Sequence, residues 1–335
     1  MMKILVVGLG SMGKRRIRNM KHLNAGEIFG FDPREDRRKE AVEKLGIETF
    51  EDFDVAMEQK FDAMVISTPP NLHMQFAKIA AERGIHFFTE AGISNKGVQE
   101  VIDISAINNV VAAPSCTLRF HPSIKRMKKL VDYGHIGKIL TFTYESGQYL
   151  PDWHPWEDYR TFYVSKRETG ACREIVPFEL TWVNWVMGNV TQVTAMKGKL
   201  SDLDCDIDDA YHLLMRYENG AIGHLLVDVL ARAAVRNCRF IGTTGTLEWV
   251  ASEKLVRHYD TETKSWAEYP EPRAEIAEGY SEMSVEGMYI EEMDAFIQAA
   301  KGLGTYPHTY SEDLRILDVL YASEKGNDEN IHVKM

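Results

Sequence analysis

A glycine-rich turn between two short apolar runs is the feature that most constrains how this chain folds. The turn reads Gly8-Leu-Gly-Ser-Met-Gly13, follows the apolar run Ile4–Val7 and opens a helical pattern. Glycines at this spacing permit a tight turn, a close approach of the backbone to a pyrophosphate and close packing of the next helix, whose N-terminus faces the phosphates. A second apolar run ends at Asp32, about 20 residues further on, where a carboxylate can accept the ribose hydroxyls. The segment predicts a dinucleotide-binding Rossmann unit.

Length and charge exclude several classes of protein. The 335 residues suggest two domains, and the formal net charge of -11 argues against a nucleic-acid partner, because binding phosphates needs a basic surface. Two short basic stretches, Lys14–Arg16 and Arg34–Lys39, are expected to be solvated helix faces. The N-terminus runs directly into the first apolar strand, and no apolar stretch reaches the about 20 residues of a membrane span. We expect a cytoplasmic protein that binds neither nucleic acid nor membranes.

A metal site is not expected either. The four cysteines lie far apart without the spacing of a metal site, which is typical of a reduced, cytosolic chain. The acidic run Asp202–Asp209 lacks the central glycine and the distal glutamate of a calcium loop. It predicts a solvated loop before a strand.

The order of predicted elements divides the chain into two domains. Strand-like and helical runs alternate up to about residue 118, which is typical of a doubly wound parallel sheet. After Pro122 the pattern changes to long strands with period-two alternation, and Asn219-Gly220 predicts a hairpin between two of them. We predict an α/β fold: an N-terminal Rossmann domain over residues 1–120 and, over 121–335, an α+β domain with a large, mostly antiparallel open sheet. The last helices are expected in the second domain or packed back on the first.

Residues at the carboxyl ends of the predicted parallel strands are the candidates for binding the dinucleotide. One strand ends in Ser67-Thr-Pro-Pro-Asn-Leu-His73, whose prolines shape an extended turn at the edge where doubly wound folds bind ligands. His73 could instead be a surface residue. Asp32 favours NAD over NADP because a carboxylate repels a 2′-phosphate, while Arg34, Arg37 and Arg38 leave NADP open. The cofactor-binding residues predicted here are Gly8, Gly10, Ser11, Met12, Gly13, Asp32, Arg37, Ser67, Thr68, Pro69, Asn71 and His73.

Three further motifs extend the pattern: Arg119-Phe-His-Pro122, Gly134-His-Ile-Gly-Lys138 and Gly242-Thr-Thr-Gly-Thr-Leu-Glu248. Together with the glycine-rich turn, Asp32 and the segment 67–73, they resemble the Gfo/Idh/MocA oxidoreductases over nearly the whole chain. This resemblance implies a Rossmann domain, a second domain with a large open sheet, and NAD(P) chemistry on sugars or related polyols. It also implies dimers or tetramers formed through the open sheet.

The chain departs from the family at its catalytic positions. The family usually carries Glu-Lys-Pro after the fifth strand, with the lysine near the nicotinamide, whereas this chain has Glu90-Ala91-Gly92. Its second signature is a Gly-Gly-Gly…Asp…His…Asp run that opens a helix, and Glu174, Phe178 and Thr181 stand at its acidic, histidine and last acidic positions. Both usual acid–base groups are absent. The resemblance adds three cofactor-binding residues, Glu90, Ala91 and Thr117, the last in place of an asparagine common in the family.

An aromatic-rich segment, Tyr149–Tyr163, lies where the resemblance implies substrate-facing residues. Aromatic rings suit sugar faces and forked donors suit hydroxyls or phosphate, but a self-packed loop or an oligomer contact remains open. Glu174, His154 and Tyr163 are candidates for taking the hydroxyl proton, since Glu174 keeps a carboxylate and His154 titrates near neutrality. The candidate substrate-binding residues are Arg119, Tyr149, Trp153, Arg160, Arg173 and Glu179. Each arginine could equally form a structural ion pair.

The sequence therefore predicts an NAD-dependent oxidoreductase that transfers hydride at a secondary alcohol or ketone. Its substrate would be a sugar or sugar derivative, free, phosphorylated or nucleotide-linked. Two other functions stay open because the usual acid–base groups are missing: an NAD-binding regulator or sensor without turnover, and a lyase or epimerase that uses tightly bound NAD in a transient oxidation. The expected assembly is a homodimer or homotetramer.

Overall fold

The computed structural model describes residues 1–155, 157–272 and 286–335. The strands are β1 (Met2–Val7), β2 (Gly26–Phe31), β3 (Glu48–Phe50), β4 (Ala63–Ile66), β5 (His86–Thr89), β6 (Ala112–Pro114), β7 (Ile139–Gly147), β8 (Val190–Gly198), β9 (Ala210–Tyr217), β10 (Ile222–Asp228), β11 (Val235–Gly242), β12 (Gly245–Val250), β13 (Leu255–Asp260), β14 (Ser265–Pro270) and β15 (Val333–Lys334). The α-helices are α1 (Ser11–His22), α2 (Glu35–Leu45), α3 (Phe53–Ala56), α4 (His73–Glu82), α5 (Val98–Ile107), α6 (Pro122–Asp132), α7 (Cys172–Met187), α8 (Glu286–Ala300) and α9 (Tyr310–Glu329).

These elements form two compact units. The first contains Met1–Thr117 and Glu286–Leu314, and the second contains Leu118–Val285 and Arg315–Met335. The chain thus returns to the first unit near its end. A single division at residue 120 does not describe the units, because α8 and the start of α9 belong to the first.

The first unit is built on a six-stranded parallel sheet in the order β3-β2-β1-β4-β5-β6. Strand β4 is buried throughout, and β1 and β2 each end in four buried residues, so these strands read as continuous apolar runs rather than alternating ones. In β1, Ile4 and Val6 pack with residues of α1, α2 and α8, whereas Leu5 and Val7 pack with residues of α3, α4 and α5. The doubly wound fold predicted from the sequence is confirmed. The strand order reverses between β1 and β4, the position at which such sheets bind ligands.

The second unit contains a nine-stranded sheet in the order β14-β13-β12-β11-β7-β10-β9-β8-β15. All neighbours are antiparallel except β7 and β10, which run parallel, so the predicted mostly antiparallel sheet is confirmed. The predicted hairpin joins β9 and β10, with Gly220 at φ +85°. On one face, Trp182 of α7 packs edge-on against Tyr144, Phe240 and Trp249.

The acidic run 202–209 is only partly solvated, which corrects the prediction of a solvated loop. Asp208 is buried and forms ion pairs with Arg167 and Lys197. Asp209 is fully buried and accepts hydrogen bonds from the backbone N–H groups of Leu200 and Ser201. Two of the carboxylates therefore hold the loop to the sheet.

Candidate functional site

The glycine-rich turn of the first unit leaves no room for a side chain at two of its three glycines. Gly8 has φ +93°, and a Cβ there would lie 2.6 Å from the carbonyl oxygen of Ser67. A Cβ on Gly13 would overlap the carbonyl oxygen of Gly8. At Gly10, by contrast, the nearest atoms to a Cβ among the described residues belong to the Arg37 guanidinium, 3.7 Å away. The turn itself therefore requires Gly8 and Gly13, while Gly10 leaves its backbone open to a ligand.

Helix α1 begins at this turn, with Ser11 as its first residue. Within the described residues no side chain caps the helix at Gly10, and its first turn contains no acidic residue. Ser11 and Met12, both predicted cofactor contacts, lie in that first turn. An uncapped helix N-terminus attracts negative charge through its N–H groups and its dipole. The glycine-rich turn Gly8–Gly13, called the glycine cradle below, and the start of α1 together fit the pyrophosphate of a dinucleotide.

Asp32, directly after β2, is held in a fixed orientation beside this turn. Its carboxylate is 2% exposed and accepts hydrogen bonds from the backbone N–H groups of Leu9, at 2.8 Å, and Arg34, at 2.9 Å. The Arg37 guanidinium lies 3.5 Å from the same carboxylate. Leu9 and Arg37 both donate to Oδ2, whereas Oδ1 accepts from Arg34 and has a further lone pair with which it can accept a ribose hydroxyl.

The turn after β4 carries the predicted residues Ser67, Thr68, Pro69 and Asn71 and ends at His73. The alternative that His73 is a surface residue is wrong, because its side chain is buried and its Nε2 lies 2.9 Å from the carbonyl oxygen of Thr68. Burial lowers the pKa of His73, so the imidazole is neutral. His73 therefore stabilises the turn through its hydrogen bond with the carbonyl oxygen of Thr68.

One buried guanidinium of the first unit, that of Arg16, was not identified from the sequence. Arg16 is fully buried on α1, and its Nε and NH2 each donate to the carboxylate of Glu90 at 2.8 Å. The Ser67 hydroxyl donates to the same carboxylate at 3.0 Å. Burial opposes ionisation of Glu90, but Arg16 and Ser67 outweigh it and lower the pKa of that carboxyl. The expectation that the stretch 14–16 is a solvated face is wrong for Arg15 and Arg16, both buried.

A second carboxylate reaches Arg16 from α8. Glu292 is fully buried, and its Oε2 lies 2.8 Å from NH1 of Arg16. It accepts hydrogen bonds from the Cys116 N–H at 2.7 Å and from the Thr117 hydroxyl at 2.6 Å. Thr117, a predicted cofactor contact, thus uses its hydroxyl to donate a hydrogen bond to Glu292. One signal could have identified Arg16: it shares a helix face with the buried Met20, four residues later.

In the second unit, a strained turn starts α7 and presents Glu174 in its first helical turn. Ala171 has φ +54°, a left-handed conformation that glycine adopts without penalty. A Cβ on the neighbouring Gly170 would overlap the Val164 backbone. The resemblance implied a run of glycines here, and the backbone keeps a glycine-like conformation although the residue is alanine. Such strain persists only where surrounding structure enforces it, and it is frequent at functional sites.

Of the three acid–base candidates, Tyr163 and Glu174 are in direct contact. The third, His154, is separated from Tyr163 by the ring of Phe162. The Tyr163 hydroxyl donates to Oε1 of Glu174 at 2.9 Å. His154 stacks on Phe162, with 5.6 Å between ring centroids, and Phe162 contacts the ring of Tyr163 edge-on. Nδ1 of His154 is 3.5 Å from Glu157. The aromatic segment therefore assembles the candidates at the start of α7; its Trp156 lies outside the described residues.

Two predicted substrate contacts, Glu179 and Arg119, have buried side chains that are hydrogen-bonded within the protein. Glu179 is fully buried and accepts hydrogen bonds from Tyr144 at 2.5 Å and from Arg236 at 2.8 Å. Arg119 is 4% exposed, and its Nε donates to the carbonyl oxygen of Thr181 at 2.9 Å. Both side chains help to fix α7, and their assignment as substrate contacts stays a prediction.

The other two candidate arginines form ion pairs. Arg173 donates to Glu324 at 2.6 Å, and Arg160, on the surface, donates to Asp158 at 2.7 Å and to Asp204 at 3.2 Å. For both, the structure favours the alternative of a structural ion pair over an anchor for phosphate. The two aromatic candidates stay predictions: the Arg232 guanidinium lies over the ring of Tyr149 at 3.5 Å, and Nε1 of Trp153 donates to the carbonyl oxygen of Gln148 at 3.1 Å.

None of the described helices is long and apolar enough to cross a membrane. The described part of the chain also contains no group of three or more His, Cys, Asp or Glu side chains placed to hold a metal ion.

The parallel sheet, the glycine cradle and the buried Asp32 define the first unit as a dinucleotide-binding Rossmann domain. The chain belongs to the Gfo/Idh/MocA family of oxidoreductases: the family's NAD-binding Rossmann model matches residues 2–114, and the model of its C-terminal domain matches residues 124–248. The predicted family, enzyme class and NAD cofactor are confirmed.

Named relatives agree with this assignment. The chain is 25% identical over 348 residues to myo-inositol 2-dehydrogenase of Thermotoga maritima, covering all of this chain and 98% of that protein. An Agrobacterium radiobacter oxidoreductase solved with NAD+, L-tartaric acid and magnesium has the same fold, with a TM-score of 0.88, 14% identity and coverage of 99% and 98% of the two chains. So does the WlbA dehydrogenase of Bordetella pertussis, solved with NADH and UDP-GlcNAcA, with a TM-score of 0.84, 20% identity and coverage of 100% and 97%.

Proposed function

We propose that this protein is an NAD-dependent dehydrogenase of a sugar, polyol or nucleotide-linked sugar, with Glu174 as its acid–base group. The observation that carries the proposal is the Tyr163–Glu174 hydrogen bond, which places a proton donor and a proton acceptor 2.9 Å apart at the start of α7. The substrate class is supported by the full-length similarity to an inositol dehydrogenase.

Each residue would have a definite task in the reaction. NAD, when bound, supplies the hydride acceptor, and the substrate hydroxyl must then release a proton to a base. Glu174 lies in the first turn of α7, and its carboxylate is the group that would accept that proton. Tyr163 orients the carboxylate through its hydrogen bond, and His154 is the second candidate for the base.

The alternative functions are an NAD-binding sensor and a lyase or epimerase with transient oxidation. They remain candidates because Ala91 and Phe178 carry no titratable group at the positions where the family has its acid–base residues. Cofactor that co-purifies with the protein and never exchanges would favour the transient oxidation.

Reduction of NAD+ in the presence of a substrate tests the proposal. The absorbance of reduced nicotinamide is followed while the protein is mixed with NAD+ or NADP+ and inositols, free hexoses, sugar phosphates or UDP-sugars. We expect one of these classes of substrate to reduce NAD+. Glu174→Gln should slow single-turnover hydride transfer about 100-fold or more, because the base is lost; Tyr163→Phe and His154→Ala are compared with it.

Glu168→Gln is the matched control, since Glu168 is an exposed carboxylate between Tyr163 and Glu174. Unchanged rates in Glu174→Gln and His154→Ala alike would eliminate the acid–base assignment. No reduction with any sugar, while NADH still binds, would favour the sensor or the transient oxidation.

The proposal extends to the assembly and its compartment. One face of the nine-stranded sheet carries exposed apolar side chains, including Leu214, Ile222 and Ile241 at 53%, 42% and 37% exposure. Ile222 and Ile241 flank Thr141 in one row across three strands, and apolar patches of this kind mark interfaces. The chain is a cytoplasmic homodimer or homotetramer through this face; the four free cysteines fit a reducing compartment. Sedimentation velocity at micromolar concentration should give the mass of two or four chains, and a monomer would contradict it.

A further inference from the structure

We propose that the buried network of Arg16, Glu90 and Glu292 makes the cofactor site prefer oxidised nicotinamide, a cation, to the neutral reduced form. The two carboxylates would be specificity-determining residues for the redox state of the cofactor. The inference rests on the proposed function, because it requires that NAD occupies the first unit.

The network holds one more negative charge than positive. Arg16 is its single guanidinium, bound to both oxygens of Glu90 at 2.8 Å and lying 2.8 Å from Glu292. The guanidinium also lies over the ring of Phe88, 4.6 Å from the centroid. Arg16 and Glu292 are fully buried, so water screens their charges weakly.

The Glu292 carboxylate accepts hydrogen bonds on both of its oxygens. Oε1 accepts hydrogen bonds from the Ser115 hydroxyl at 3.1 Å, the Cys116 N–H at 2.7 Å and the Tyr306 hydroxyl at 3.2 Å. Oε2 accepts from the Thr117 hydroxyl at 2.6 Å. A carboxylate surrounded by donors and a guanidinium is stabilised in its charged form, whereas a protonated carboxyl would lose an acceptor.

Among the described residues, the neighbouring groups do not cancel this excess of negative charge. Arg15 is paired with Glu286 at 3.0 Å, and His73 is neutral because burial lowers its pKa. Asp313 and His308 lie 3.5 Å apart and together add no net positive charge. The network of Arg16, Glu90 and Glu292 therefore has a net charge of -1 inside the first unit.

The network lies at the edge of the sheet where the second half of a dinucleotide is expected. Glu90 directly follows β5, Ser67 directly follows β4, and the donors 115–117 follow β6. In a doubly wound fold the dinucleotide crosses the carboxyl ends of the strands at the switch point. Since Asp32 at the end of β2 takes the adenosine ribose, the nicotinamide half lies on the side of β4, β5 and β6.

A negative charge on that side stabilises a cationic ring over a neutral one. Removing one carboxylate makes the network neutral and removes the preference. We expect the ratio Kd(NAD+)/Kd(NADH) to rise about tenfold in Glu292→Gln and in Glu90→Gln, as expected for one partly screened charge. For a two-electron couple, this ratio corresponds to a shift of about 30 mV in the potential of the bound cofactor.

The experiment is a pair of equilibrium titrations, NAD+ and NADH, by calorimetry on the full chain and its variants. Glu40→Gln is the matched control: it also removes one carboxylate from the first unit, but Glu40 is paired with Lys14 and Lys44 away from the strand ends. Its ratio should equal that of the wild type. Thermal unfolding of each apo protein verifies that it is folded, and either Glu292→Gln or Glu90→Gln suffices if the other does not fold.

The outcomes separate the inference from the proposed function. A raised ratio in the folded network variants supports the inference. Equal weakening of NAD+ and NADH would overturn it, since the network would then only position the site. Failure of the wild type to bind either form would instead contradict the dinucleotide site on which both rest.

Discussion

Arg16→Met is expected to lower the free energy of unfolding by about 3–5 kcal/mol, the range measured when one partner of a buried ion pair is removed. The guanidinium is fully buried against Glu90 and Glu292, so its loss leaves two carboxylates without a counter-ion in the interior. Urea unfolding followed by circular dichroism measures the effect. Lys14→Met is the control, because its partner Glu40 is one-third exposed and can be hydrated; we expect about 1 kcal/mol or less.

The loss of unfolding free energy in Arg16→Met should also depend on pH. Arg16 contributes to lowering the pKa of Glu90 below its ordinary value of 4.5 in the folded wild type. A carboxyl with a lowered folded pKa adds stability above its unfolded pKa, and this stability is lost as the pH falls through the folded value. The difference between wild type and variant should therefore be full at neutral pH and narrow below about pH 4.5. A constant difference across that range would show that packing, rather than charge, is lost.

Gly13→Ala should abolish NADH binding and destabilise the first unit by about 3 kcal/mol, the upper range of overpacking. The added methyl group would overlap the carbonyl oxygen of Gly8, so the turn and α1 must move apart. The binding loss is measured by NADH fluorescence titration and the stability loss by urea unfolding.

Gly10→Ala isolates the cofactor contact from the fold. A Cβ at Gly10 is in ordinary contact with the Arg37 guanidinium at 3.7 Å, so unfolding should be unchanged. NADH should still bind more weakly, because the methyl group keeps the pyrophosphate away from the backbone. Equal loss of stability in both variants would contradict this division of roles among the glycines.

Much of the first unit was predictable because its signals are local. The apolar runs, the turn at Gly8–Gly13 and the carboxylate of Asp32 lie within 32 residues and follow from helix, strand and turn chemistry alone. The strands β8 and β12 to β15 were not predicted. β14 shows the reason: most of its residues are exposed, so its sequence has no clear apolar pattern. Its position comes from pairing with β13.

Candidate residues in the second unit were predictable in type but not in partnership. Glu174 and Tyr163 are 11 residues apart, and only the fold of the aromatic segment brings them into a hydrogen bond. Arg160 and Glu179 looked equally suitable as substrate contacts, yet one is paired at the surface and the other is buried under the sheet. A sequence does not state which charge finds which partner.

The sequence by itself determined the fold class, the dinucleotide cradle and the family, since these depend on patterns within short stretches of chain. Only the tertiary structure decided which ionisable groups are buried together. Arg16 and Glu292 lie 276 residues apart along the chain, and α8 returns to the first unit to bring them within 2.8 Å. The energy of a charge depends on its burial and its neighbours, and both are properties of the folded chain.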